Sequence, residues 1–333
     1  MITPAFGLTA TERVLPRLAL DFTTASLDPR VTFIRTTGAL NPATYINSSG
    51  VITAATNNQP RFDYDPVTLV CKGLLIEESR TNSLLNTDLL STQIVTVTAA
   101  ARTLSFYGTG SVTFSGTHTA VVSGTGAYPT RTTYTFTPTA GALTLTVTGT
   151  VQYAQLEAGA FATSYIPTTT AALTRNADFA AMTGANFTDW YNATEGTLLV
   201  QSDFLSLQAT TQVVASINNS ASASSNTITL IKYGAATEFY VVNGGALQAE
   251  IAPSGSVVVN TMYGQSGGYK ANAFVAARNG GAVVQDTSGT IPTVDRLVIG
   301  SYFANSSCLN GHVAKLSYYN LRLTNNEVRA ISK

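Results

Sequence analysis

Apolar side chains fall at every second position along most of this chain, which is the two-residue period of a half-buried β-strand. Between residues 89 and 166 the pattern is almost unbroken. The stretches 94–98, 102–107, 111–115, 118–122, 132–137 and 143–148 each alternate, and Gly108, Gly110, Gly116, Gly124, Gly126, Gly141 and Gly149 punctuate them. Short strands separated by glycine turns predict a small antiparallel sandwich or jelly roll, with a closing strand at 151–157. A turn-rich linker at 165–170 follows, and a second all-β unit then runs from Asn176 to the end. Its strands are expected at 195–204, 212–217, 227–233, 238–242, 247–251, 256–263, 272–278, 283–287, 296–299 and 312–319. Asn243-Gly244-Gly245 and Asn279-Gly280-Gly281 read as hairpin turns. Only 324–331 reads as a helix, with Thr324 as its cap and Glu327 three residues on.

Ahead of residue 89 the pattern is looser. Leu18, Leu20 and Phe22 alternate as a strand after an extended arm, which either packs on a partner chain or frays. A strand is expected at 31–35, and 44–53 reads as a hairpin turning at Ser48-Ser49-Gly50. Pro60 and Pro66 then bracket an extended segment in which Phe62 and Tyr64 face one way and Asp63 and Asp65 the other. A short apolar strand at 73–76 and a helical turn ending at Asn86 complete the region. The predicted partition is an N-terminal arm and hinge (1–88), a small sandwich (89–166) and a larger sandwich (167–333).

Composition narrows the function classes. Charged residues make up 11 % of the 333 residues and the formal net charge is zero, against roughly 25 % charged residues in ordinary soluble domains. Such a surface offers no basic face to a phosphate backbone, so nucleic acid is excluded as a partner. No run approaches the roughly 18 apolar residues of a membrane helix, and the first residues lack the basic start and apolar stretch of a signal peptide, so no membrane association is expected. Cys71 and Cys308 are far apart and are expected as two buried free thiols.

The few charges cluster at 61–80, which marks this stretch as a structural hinge built on Arg61, Asp63, Asp65 and Arg80. Glu77 and Glu78 are adjacent, so on a strand they face opposite ways and cannot flank one glycosidic bond. Asp63 and Asp65 share a face about 7 Å apart by strand rise, within the range of an inverting glycosidase. Ion pairing with Arg61, Lys72 or Arg80 is the favoured reading of both. His118 and His312 have no second ligand at zinc spacing, and no calcium loop surrounds Asp63 and Asp65, so neither metal nor cofactor is expected. His312 is assigned a structural role and His118 a solvent-facing one. For sugar stacking, Trp190 and Tyr191 stand out in a turn-rich entry to a strand, followed by Tyr263, Tyr269, Tyr302 and Phe303. Trp190 plugging the end of the sandwich is the favoured alternative.

Residues 61–66 (RFDYDP) and 73–82 (GLLIEESRTN), with Gln155-Leu156-Glu157-Ala158-Gly159, Ser164-Tyr165-Ile166-Pro167, Leu309-Asn310-Gly311-His312 and Leu316-Ser317-Tyr318-Tyr319, carry a resemblance. They are similar to virion structural proteins of tailed bacteriophages, of the fibre, appendage or capsid-decorating type. The resemblance implies a C-terminal concanavalin-A-like (laminin-G-like) sandwich and a homo-oligomer, with a trimer as the family's usual state. It further implies assembly in the host cytoplasm and a place on the outer surface of the particle, bound to capsid or tail proteins through the N-terminal region. The expected role is non-enzymatic adhesion to a host-surface glycan. A purely structural decorating protein and a polysaccharide depolymerase are the alternatives.

Overall fold

A computed structural model describes residues 14–35, 42–304 and 306–333, and these are almost entirely β. Residues 1–13, the start of the expected arm, lie outside the described residues.

The larger body is a two-sheet antiparallel sandwich. One sheet runs in the order Val284–Asp286, Phe274–Arg278, Tyr263–Lys270, Glu195–Ser202, Gly311–Tyr319, Cys71–Ile76, Phe62–Tyr64, and Leu18–Asp21 also pairs with Gly311–Tyr319. The other runs Thr32–Ile34, Phe179–Thr183, Arg296–Ile299, Gln212–Asn218, Thr227–Tyr233, Ala236–Asn243, Ala246–Ile251. Leu198, Val200, Leu316 and Tyr318 from the first sheet meet Leu230, Phe239, Val241 and Ile299 from the second in one continuous core. Each large apolar side chain so buried contributes about 1.5–3 kcal/mol.

The smaller sandwich has a four-stranded sheet (Ala120–Ser123, Ser111–Gly116, Gly141–Thr148, Gln93–Val97) and a three-stranded one (Thr132–Phe136, Arg102–Tyr107, Gln152–Ala158). It has its own core around Leu104, Phe106, Phe114, Leu145 and Leu156. The chain enters and leaves it side by side, because Arg80–Asn82 pairs with Leu173–Arg175 and the Asn86 N–H donates to the Thr169 carbonyl at 2.8 Å.

This topology differs from the expected partition at its first boundary. Leu18–Asp21, Thr32–Ile34, Phe62–Tyr64 and Cys71–Ile76 are strands of the larger sandwich, so the described part of 14–88 is built into that body and does not stand off as an arm. The smaller sandwich is an insertion in the larger one. The segment expected as a linker is locked down instead: Tyr165 and Ile166 are buried, and Ile166 donates to the Gln155 side chain at 2.9 Å. The chain bends at 83–88 without a helical turn, while a short helix not expected from the sequence, Ala185–Thr188, precedes Trp190. The strand expected at 256–263 lies instead at Tyr263–Lys270. The C-terminal helix Asn325–Ile331 carries the expected capping box on Thr324 and Glu327.

Candidate functional site

Three tyrosine-bearing elements converge where the two sandwiches meet. The outer face of the three-stranded sheet presents Thr103, Tyr107, Thr133 and Thr135, since Leu104, Phe106, Tyr134 and Phe136 point into the small core. Opposite stand Tyr45, from the hairpin of Thr44–Ile46 and Ile52–Ala54, and Asp63. The segment Phe161–Tyr165 closes one side, and the space enclosed is a cleft of about 450 Å³. A cleft of that size at a junction between domains is the usual setting of a small-ligand site. Tyr107 is backed by Tyr128 and Tyr153 at centroid distances of 5.2 and 6.2 Å, and Arg131 pins the rim by donating to the Thr163 carbonyl at 2.8 Å and to Ser105 Oγ at 2.7 Å.

The charged residues of the hinge lie beneath this cleft. Arg61 is fully buried; its Nη1 pairs with Glu77 Oε2 at 2.7 Å and its Nη2 with Asp178. Arg35 reaches Asp178 Oδ1 at 2.9 Å, and Arg175 lies 3.5 Å from Glu77. Glu77 also accepts from the backbone N–H and hydroxyl of Ser164, both at 2.7 Å. Burial pushes the Glu77 carboxyl up, but the charges of Arg175 and Arg61 override it and hold it well below the usual carboxylate range. Burial pulls Arg35 down to about 10, against the attraction of Asp178. Such a network fixes a geometry more than it stabilises a fold, because desolvation offsets most of the Coulomb gain.

Asp63 has a different partner from those expected. Its Oδ2 lies 3.1 Å from His312 Nε2 and its Oδ1 accepts from the Ile46 N–H at 2.6 Å, while His312 Nδ1 lies 2.9 Å from Asp203 Oδ1. Burial alone would lower the His312 pKa, yet Asp203 and Asp63 raise it to about 10, so the imidazole is a cation clamped between two carboxylates. Burial would likewise raise Asp203, but the His312 charge and hydrogen bonds hold it below its ordinary value. Asp65 is turned elsewhere: it accepts from the N–H groups of Val67 and Thr68 and lies 3.7 Å from Lys72. A bulge between Asp63 and Tyr64 separates the two acids into unlike settings, which removes the paired-acid geometry. Arg80 pairs with Glu78 at 2.7 Å and lies over the Phe161 ring at 4.5 Å.

The aromatic candidates disperse. Trp190 is buried, edge-on to Phe187 at 5.0 Å and Tyr318 at 4.8 Å, with its Nε1 donating to the Asn186 carbonyl at 2.7 Å. Tyr269 is buried with its hydroxyl 2.7 Å from that of Tyr318, Tyr191 is half-buried against Phe187, and Tyr263 is buried. None of these four is an exposed stacking platform: they fill the sandwich, and Trp190, Tyr263 and Tyr269 have their polar tips hydrogen-bonded there. Phe303 is exposed, and Tyr302 lines a second cleft on the outer face of the seven-stranded sheet. His118 is half-buried, stacked on Phe136 at 4.5 Å and bonded to Tyr134. Cys71 and Cys308 are free thiols, Cys71 half-buried and Cys308 buried, and burial pushes Cys308 up to about 12. Among the described residues no group of three or more His, Cys, Asp or Glu could hold a metal. The junction residues Tyr45, Tyr107, Arg131 and Phe161 were not singled out by sequence, since each alternates within a strand or loop like its neighbours.

No protein-family model matches the sequence, and no curated protein matches it. Among solved structures the chain is similar to the CBM40 of the Ruminococcus gnavus IT-sialidase bound to α2,3 sialyllactose, at 15 % identity and a TM-score of 0.37, over 42 % of this chain and 83 % of that one. It is similar to the NanB sialidase from Streptococcus pneumoniae at 14 % identity and a TM-score of 0.38, over 46 % of this chain and 26 % of that one. The Trypanosoma rangeli sialidase in complex with the inhibitor DANA gives 14 % and 0.34, over 45 % of this chain and 25 % of that one. The match thus takes in about a quarter of each of the two sialidases.

Proposed function

We propose that this chain is a non-catalytic adhesive protein that holds a glycan in the junction cleft, as an outward-facing fibre or appendage of a tailed-phage virion. The observation that carries the glycan reading is the lining of that cleft, where the aromatic residues Tyr45, Tyr107 and Phe161 stand beside the hydroxyl-bearing Thr133 and Thr135. Sugars are held by such pairings of aromatic surface with neutral hydrogen-bonding groups. Both acids at the cleft are engaged by cations, Asp63 by His312 and Glu77 by Arg61, and Glu77 is held well below the usual carboxylate range, the opposite of the raised carboxyl that protonates a leaving group. That favours retention of the sugar over its cleavage.

The virion setting rests on the sequence resemblance at 61–82, which falls in the hinge under the cleft. A homo-oligomer, with a trimer as the proposed state, would multiply weak single-site contacts. Binding of the purified chain to host-surface polysaccharide, measured with a reducing-end assay on the same samples, tests the adhesive reading. The expected result is saturable binding, no new reducing ends, and at least about tenfold weaker binding for Tyr45→Ala. Released oligosaccharide would establish the depolymerase alternative, and absence of any glycan binding would leave the decorating role. Immunogold labelling of phage particles tests the location.

A further inference from the structure

The outer face of the seven-stranded sheet carries a second cleft, of about 410 Å³, remote in character from the first. In the strand Ala236–Asn243, Phe239 and Val241 point into the core, so Glu238 and Tyr240 point outward, about 7 Å apart by strand rise. Glu250 stands directly across from Tyr240 in the neighbouring strand. Tyr233 and Tyr302 flank them, Tyr233 more than half exposed and Tyr302 half-buried.

Two carboxylates therefore share a tyrosine-walled cleft with no cation facing them. Glu238 is more than nine-tenths buried, and among the described residues neither a hydrogen bond nor an ion pair reaches it. The neighbouring cations are committed elsewhere: Lys232 points to the opposite face and donates to the Gln208 carbonyl, and Arg296 is bonded to Asn218 and to the Tyr302 backbone. Burial, and next the charge of Glu250, push the Glu238 carboxyl above its ordinary range.

We propose that this cleft, floored by Glu238, Tyr240 and Glu250 and flanked by Tyr233 and Tyr302, binds a compact organic ammonium cation. Tyrosine faces attract such a cation through the ring quadrupole, and the carboxylates supply the charge that a desolvated ammonium requires. A bare metal ion fits less well, since calcium takes six to eight oxygen ligands and the cleft offers two carboxylates among phenol rings. The ammonium can be quaternary, as in choline, or the primary amine of an amino sugar; the chemistry read by the cleft is the same.

Titration calorimetry of the full chain with choline and with glucosamine separates these sources, with 3,3-dimethylbutanol and glucose as the neutral counterparts. The expected result is saturable binding of at least one cation, at least tenfold tighter than its neutral counterpart. Glu238→Gln should weaken it at least tenfold with an unchanged melting temperature. Glu250→Gln, at an exposed position, should weaken it in the same direction and serves if the buried variant unfolds. Absence of binding by both cations, equal binding of the neutral counterparts, or binding undiminished in the glutamine variants would overturn the proposal.

Discussion

His312 lies buried between Asp63 and Asp203, and the folded state holds its proton more tightly than water does. Its folded pKa of about 10 lies above the roughly 6.5 of an unfolded histidine. The stabilisation is thus complete below about pH 6.5 and disappears as pH rises through about 10. The melting-temperature gap between wild type and His312→Gln should be widest near pH 6 and shrink towards pH 10; a gap independent of pH would show that His312 is not charged in the folded state. At this scale the sequence was only partly informative. The clustering of Arg61, Asp63, Glu77 and Arg80 announced a charged hinge, but Asp178, Asp203 and His312, which complete it, lie far along the chain, Asp178 101 residues beyond Glu77 and His312 249 beyond Asp63. Nothing local marks a residue whose partner is supplied by topology.

Alternation served well for strands whose inward positions carry large apolar groups, such as Glu195–Ser202 and Thr227–Tyr233. It failed at Tyr263–Lys270, whose sequence YGQSGGYK places Gln265 and Gly267 between the two inward rings of Tyr263 and Tyr269. Gly267 explains why: a Cβ there would sit 2.2 Å from the Phe239 ring, so the absence of a side chain is what lets the facing sheet close. Packing, invisible in a hydropathy pattern, replaced the pattern. The tail helix was legible because its signal is local. Thr324 accepts from the Glu327 N–H at 3.4 Å, and Glu327 accepts from the Thr324 N–H at 2.8 Å. Thr324→Ala should therefore lower stability by about 1 kcal/mol in urea denaturation, and a change near zero would show that packing of Val328 alone holds the helix.

The cores of the larger and smaller sandwiches share no residues, which predicts two regions of separate cooperativity. Phe114→Ala, at the centre of the smaller core, should cost that unit about 3–5 kcal/mol. Hydrogen exchange should quicken across 93–158 while Glu195–Ser202 and Gly311–Tyr319 keep their protection; loss of protection in both would show one cooperative unit. The all-β class and the two sandwiches were readable from period and glycine spacing. The interruption of one by the other was not, because strand order in a sheet is set by long-range pairing that hydropathy does not encode.

The neighbouring exit and re-entry points at Asn86 and Thr169 give the smaller sandwich the standing of a cassette. Whatever is grafted between those two positions leaves the path of the surrounding sheets untouched, provided Ser164 and Tyr165 are kept to seat it. Because that unit supplies one wall of the junction cleft and none of the cleft at Glu238, exchanging it would change the lining of the first and leave that of the second intact.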